Sequence, residues 1–119
     1  MPSVFSLAHL SDLHLGPLPL QSAGRHFALK RTIGVFNWRL KRHKIHSMAV
    51  ASAIAADIVA EAPDHVALTG DIVNVAAHDE FTAAARWLNA FGPPDWISFV
   101  PGNHDTCVRM AWEHGLAHL

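Results

Sequence analysis

The chain has 119 residues, enough for one ordinary domain with a single core. Half of the residues are hydrophobic, 16% are charged and the net charge is −1, which excludes a disordered or strongly charged tail. A single cysteine, Cys107, excludes an internal disulfide and any multi-cysteine metal site.

The first element in chain order is a strand over Val4 to Leu10, which runs into Ser11-Asp12-Leu13-His14. No basic residue precedes it, so it does not read as a secretory signal, and a cytoplasmic location is the default expectation. Gly16, Pro17 and Pro19 then interrupt regular structure. Seven of the nine basic residues follow between Arg25 and Lys44, in a stretch from Asp12 to Asp57 with no acidic residue between its ends. Such a block attracts phosphate, on a substrate or on nucleic acid, or else forms a solvated face.

A helix is expected from about Ile45 to Ala62, with Val50, Ile54 and Ile58, flanked by Ala51, Ala55 and Val59, as one apolar stripe, Asp57 and Glu61 on the opposite face and Pro63 as its stop. Its nearly apolar run, Met48 to Ala60, is too short to span a bilayer. His65 to Thr69 reads as a buried strand ending at Gly70-Asp71. A second helix covers about Asp79 to Phe91, with Phe81, Ala84, Ala85 and Leu88 on one face, and ends at Gly92-Pro93-Pro94. Trp96 to Val100 is a third strand, leading into Pro101-Gly102-Asn103-His104-Asp105. The remainder, Thr106 to His118, reads as a helix with Val108, Trp112 and Leu116 inward. The order βαβαβα implies an α/β fold, with a largely parallel sheet, flanking helices and strands buried on both faces.

Each strand ends in a polar cluster, and the carboxyl ends of parallel strands line one edge of an open sheet. Asp12 and His14, Asp71, and Asn103 with His104 are therefore expected to converge. On an extended segment Asp12 and His14 would face the same side, offering a carboxylate oxygen and an imidazole nitrogen to a divalent ion. Asp71 has two oxygens and so can bridge two cations. Asn103 offers a neutral amide oxygen, and His104 beside it would lie close to bound phosphate. The tetrapeptide Gly102-Asn103-His104-Asp105 arises by chance in about one in a thousand chains of this length, from average residue usage.

The ordered set Asp12-x-His14, Gly70-Asp71 and Gly102-Asn103-His104-Asp105 resembles the signature of calcineurin-like metallophosphoesterases. The segment from Lys30 to Trp38 is also similar to bacterial members. The resemblance implies the N-terminal half of the family's α/β sandwich, present here as a single partial domain over residues 1–119. It implies hydrolysis of phosphomonoesters or phosphodiesters with two divalent cations (manganese, iron or zinc). By the same resemblance Asp12, His14, Asp71 and Asn103 bind metal, Asp71 as the bridge, while His104 contacts phosphate and assists the leaving group. There are two departures. Asn74 stands where some relatives carry an Asp that orients this histidine, so its amide is the expected orienting group. The family's downstream Gly-His-x-His segment has no counterpart before Leu119, and His114 and His118 read as exposed helix residues. The chain is therefore expected to be a fragment, weakly active or inactive alone, with a bare apolar sheet face. The rival reading is a phosphate- or nucleic-acid-binding module using residues 25–44.

Overall fold

The computed structural model describes residues 2–16, 48–107 and 109–119; the basic stretch, the segment from Lys30 to Trp38 and Val108 lie outside the described residues. Strand β1 spans Leu7–Leu10, helix α1 Met48–Glu61, strand β2 His65–Thr69, helix α2 His78–Phe91 and strand β3 Ile97–Val100. The three strands form one parallel sheet in the order β1-β2-β3, with Ala8 opposite Val66, Leu10 opposite Leu68, Val66 opposite Ile97 and Leu68 opposite Phe99. The expected parallel α/β arrangement is present.

Strand side chains alternate between faces, and that alternation decides where the core sits. Val66 and Leu68 of the central strand are fully buried and cluster with Leu10, Ala51, Phe81, Ala84, Leu88 and Phe91. Both helices therefore cover the same sheet face, as consecutive right-handed crossovers between neighbouring parallel strands require. Among the described residues nothing covers the opposite face, as expected for a partial domain and unlike strands buried on both sides. It is only partly apolar. Leu7 and Val100 are exposed on it, while His9 Nε2 meets Thr69 Oγ1 at 2.6 Å and His65 Nε2 meets Ser98 Oγ at 2.8 Å.

Three further expectations need correction. β1 starts at Leu7, and Val4 and Phe5 are exposed ahead of it. In α1 the residues facing the core are Ala51, Ala55 and Ile58, while Val50 and Ile54 are exposed. At 100° per residue Asp57 and Glu61 fall on the side of Val50 and Ile54, and that polar side is the exposed one. The C-terminal stretch is not an α-helix but two short 3₁₀ turns, Trp112–His114 and Leu116–His118, separated by Gly115 at φ −139° and ψ −102°. Trp112 is 63% exposed there, so it is not an inward residue; Leu116 does pack on the core.

Small anchors set the strand entrances. The Ser6 N–H and hydroxyl both donate to Asp64, at 2.7 and 3.0 Å, and hold that carboxyl below the usual aspartate range. Trp96 Nε1 donates to the Pro63 carbonyl at 2.8 Å, tying the ends of β2 and β3 together opposite the site.

Candidate metal centre

Three loops leave the carboxyl ends of the strands: 11–16 after β1, 70–77 after β2 and 101–107 after β3. Loop 11–16 is laced to loop 70–77 by backbone hydrogen bonds from Asp12 N–H to Gly70 O (3.1 Å), His14 N–H to Asp71 O (2.9 Å) and Leu15 N–H to Ile72 O (2.8 Å). The third loop is fastened by Asp105, a buried side chain. Its carboxylate accepts the N–H of Asp71 (2.7 Å), Val73 (3.0 Å) and Gly102 (2.8 Å). Asp71 answers in kind, its Oδ1 accepting the His104 N–H at 2.9 Å. Burial raises the Asp105 carboxyl above the usual aspartate range, against the three N–H groups that favour its charged form; the nearby Asp71 charge adds to the rise.

This lacing imposes unusual backbone. Asp12, His14, Asp71 and Ala76 have positive φ (56°, 44°, 55° and 54°), and Gly70 lies at 86°. A non-glycine residue in that region costs on the order of 1 kcal/mol or more, and such residues collect where surrounding contacts over-determine them. Gly70 and Gly102 are back to back, since a Cβ on Gly70 would lie 2.9 Å from the Gly102 Cα. No side chain fits between these loops.

The outcome is a cluster of His14, Asp71 and His104, whose ligand atoms lie within 4.8 Å of one another. The imidazoles meet edge to face, with centroids 4.8 Å apart at 86°. Each ring directs Nδ1 at a backbone carbonyl: His14 to Val73 O at 3.2 Å, His104 to Asn74 O at 2.8 Å. A carbonyl only accepts, so Nδ1 carries the proton in both rings and the lone pair sits on Nε2. Metal-binding histidines show this same pattern, donating one ring N–H to a carbonyl while the other nitrogen ligates. An imidazole nitrogen of His14 and the carboxylate of Asp71 suit a borderline divalent cation, so the residues fit the metal that the sequence implies, and His104 stands close enough to meet a group bound there.

The other two expected ligands, Asp12 and Asn103, lie on the same loops as this trio. Asp12 and Asn103 are both exposed. Asp12 and His14 do not share an extended segment, because the chain turns left-handed at each; His14 is buried and Asp12 is not. The structure brings His14, Asp71 and His104 together, from three different loops.

Asp105 was missed from the sequence as a supporting group, and Asn74 acts through a different atom than expected. Asp105 belongs to the motif but reads as a turn former, whereas it fastens two loops. Asn74 orients His104 through its backbone carbonyl and not through its amide, which instead donates from Nδ2 to Leu15 O at 3.0 Å. The Asn74 Oδ1 is buried without a hydrogen-bond partner. An aspartate at position 74 could not make the Leu15 contact, because an ionised carboxylate has no donor.

Glu80, in the first turn of α2, is also buried, and its carboxylate accepts the N–H groups of Asn74 (2.8 Å), Val75 (3.0 Å) and Ala77 (2.9 Å). Burial raises its carboxyl above the ordinary 4.5, outweighing the lowering effect of those N–H groups. A carboxyl that protonates more readily when folded adds stability below its unfolded pKa. That contribution is lost as pH rises through the higher folded value. The stability of the wild type minus that of Glu80→Gln is therefore expected to fall as pH is raised from the ordinary carboxylate range towards neutrality. Denaturant titrations across that range check the slope, and a flat difference would contradict it.

The comparisons with known proteins agree with this geometry. The family model for calcineurin-like phosphoesterases matches residues 5–118. The chain belongs to the calcineurin-like phosphoesterase family. It is also 30% identical to the glycerophosphodiester phosphodiesterase GpdQ of Enterobacter lignolyticus (strain SCF1), over 83% of this chain and 29% of that relative. The chain thus spans less than a third of the relative's length. No helix among the described residues is long and apolar enough to cross a membrane.

Proposed function

We propose that this chain carries part of the dinuclear metal site of a phosphodiester hydrolase. The observation that carries the reading is the convergence of His14, Asp71 and His104 from three separate loops, with both Nδ1 atoms committed to carbonyls. Family membership supports phosphoester hydrolysis, and the relative's name supports the diester class. Asp12, His14, Asp71 and Asn103 are assigned as metal ligands, with Asp71 between two cations. Further ligands come from outside these residues, a reading supported by the absence of a Gly-His-x-His segment from the sequence and by the share of the relative that is matched.

Divalent cations, when bound, supply charge neutralisation on the phosphate and a water of lowered pKa. The chain's own residues do the rest. The left-handed turns at Asp12, His14 and Asp71 hold their side chains at the sheet edge before substrate arrives, so little reorganisation is needed on binding. His104 keeps its Nδ1–H on Asn74 O, so a second proton would reside on Nε2, from which it can pass to the leaving oxygen. A carbonyl supports that imidazolium less than a carboxylate would.

Hydrolysis of bis(p-nitrophenyl) phosphate with added manganese tests the reading. Turnover is expected to be slow, to stop on chelation and to be lost in Asp71→Asn. Turnover that survives chelation or that substitution contradicts the assignment.

A further inference from the structure

The two peptide units that meet the histidines share an anchor on their far side. The 73–74 peptide presents its carbonyl, Val73 O, to His14 Nδ1, and its N–H, on Asn74, to Glu80 Oε1 at 2.8 Å. The 74–75 peptide presents Asn74 O to His104 Nδ1, and its N–H, on Val75, to Glu80 Oε2 at 3.0 Å. In a trans peptide the N–H and C=O point in opposite directions. Fixing each N–H on the Glu80 carboxylate therefore aims each carbonyl away from Glu80 and at an imidazole.

From these relays the geometry points to Glu80 as the positioning residue that sets the ring orientation and tautomer of both His14 and His104. Several observations favour this role over simple helix capping. Glu80 does cap, since its Oε2 also accepts the Ala77 N–H at the start of α2, and Asp79 and Glu80 both suit the positive end of that helix. A cap needs only that one contact. The other two reach two and three residues further back from Ala77, into a segment outside any helix or strand that includes the left-handed Ala76. Glu80 is 4% exposed and is backed by Phe81, which is fully buried, so the anchor sits on rigid core. The carboxylate also polarises both peptides in the direction that makes their carbonyls better acceptors. Glu80 reaches both histidines through the backbone of residues 73–75. Glu80 lies outside the three metal-site motifs of the sequence.

The test reads the imidazoles directly, in metal-free protein at a pH where both rings are neutral. Long-range ¹H–¹⁵N correlation spectra distinguish the Nδ1–H from the Nε2–H tautomer, and amide dispersion reports whether each variant is folded. In the wild type both His14 and His104 are expected as Nδ1–H. In Glu80→Ala both are expected to move towards Nε2–H, the tautomer imidazole side chains favour in water, while His65 on the open sheet face stays as it was. Glu80→Gln keeps one acceptor oxygen and sets an NH₂ group against the other N–H, so at least one ring is expected to switch; it decides the matter where the alanine variant does not fold. Rings that both stay Nδ1–H in a folded Glu80→Ala, or in Glu80→Gln where that variant decides, would overturn the inference. So would a wild type with either ring as Nε2–H, or a His65 signature that changes together with the other two. The inference concerns the same cluster as the proposed function but needs no metal and no turnover. A chain that shows these tautomers and takes up no metal would defeat the proposed function and leave the role of Glu80 standing.

Discussion

Asp105→Ala is expected to cost about 3 kcal/mol or more of folding stability and to abolish metal uptake. The magnitude follows from three backbone N–H groups left without their acceptor, at about 1–3 kcal/mol for each one that is buried. Val73 N–H is fully buried, and those of Asp71 and Gly102 are partly so. Against a typical total of about 5–15 kcal/mol, the loss is large. The effect on the site runs through the same peptides. The 70–71 and 72–73 units that Asp105 anchors by their N–H groups present Gly70 O and Ile72 O to the first loop, at Asp12 and Leu15. Removing the anchor frees both loops at once, and the left-handed Asp12, His14 and Asp71 are then no longer held. Asp105→Asn, which keeps one acceptor oxygen, is expected to recover part of the loss. Urea unfolding with a manganese titration checks both claims; an alanine variant within about 0.5 kcal/mol of wild type, the range of ordinary surface changes, would contradict them.

Gly102→Ala is expected to weaken manganese binding by about 10- to 100-fold while leaving the sheet intact, the range seen when groups that support metal ligands are disturbed. A Cβ at this position would lie 2.8 Å from the Asp71 backbone nitrogen and 2.9 Å from its Cγ, and would meet Oδ1 more closely still. The nearest neighbours include backbone, so no flexible side chain can swing aside. Either the third loop withdraws, taking His104 with it, or Asp71 leaves its place. Displacements of about 1 Å are enough to cost on the order of 100-fold in turnover. A titration on the folded variant reads this directly, and unchanged affinity would show that the two loops are not held in register by their glycines.

Much of this arrangement was legible in the sequence, for identifiable reasons. The strands and helices follow from short apolar runs and from strong stops at Pro63 and Gly92-Pro93-Pro94, and the convergence of the strand-end motifs follows from a parallel sheet. What could not be read falls into three kinds. The rotation of α1 is masked by apolar residues nearly all round it, and only Asp57 and Glu61, on the side of Val50 and Ile54, mark the exposed face and leave Ala51, Ala55 and Ile58 inward. The mixed polarity of the open sheet face was hidden because alternation in His65-Val66-Ala67-Leu68-Thr69 is muted by a small residue, Ala67, on the exposed side. The supporting contacts of the site were hidden because they are made by backbone. A sequence shows that residue 74 is asparagine, but not that its carbonyl, rather than its amide, faces His104. Glu80 did carry a signal, since a glutamate at the third position of a helix is a capping feature. Its reach to Asn74 and Val75 depends on the left-handed turn at Ala76, which nothing in the local sequence announces.

The cluster of His14, Asp71 and His104 is the centre of the account, and uptake of divalent manganese by the metal-free chain tests it most directly. Calorimetric titration is compared between wild type and Asp71→Asn at matched folding. Saturable binding is expected in the wild type and its loss in the variant, because the substitution removes the carboxylate charge from the cluster. Absence of binding in a folded wild type, or equal binding in the two, would contradict it.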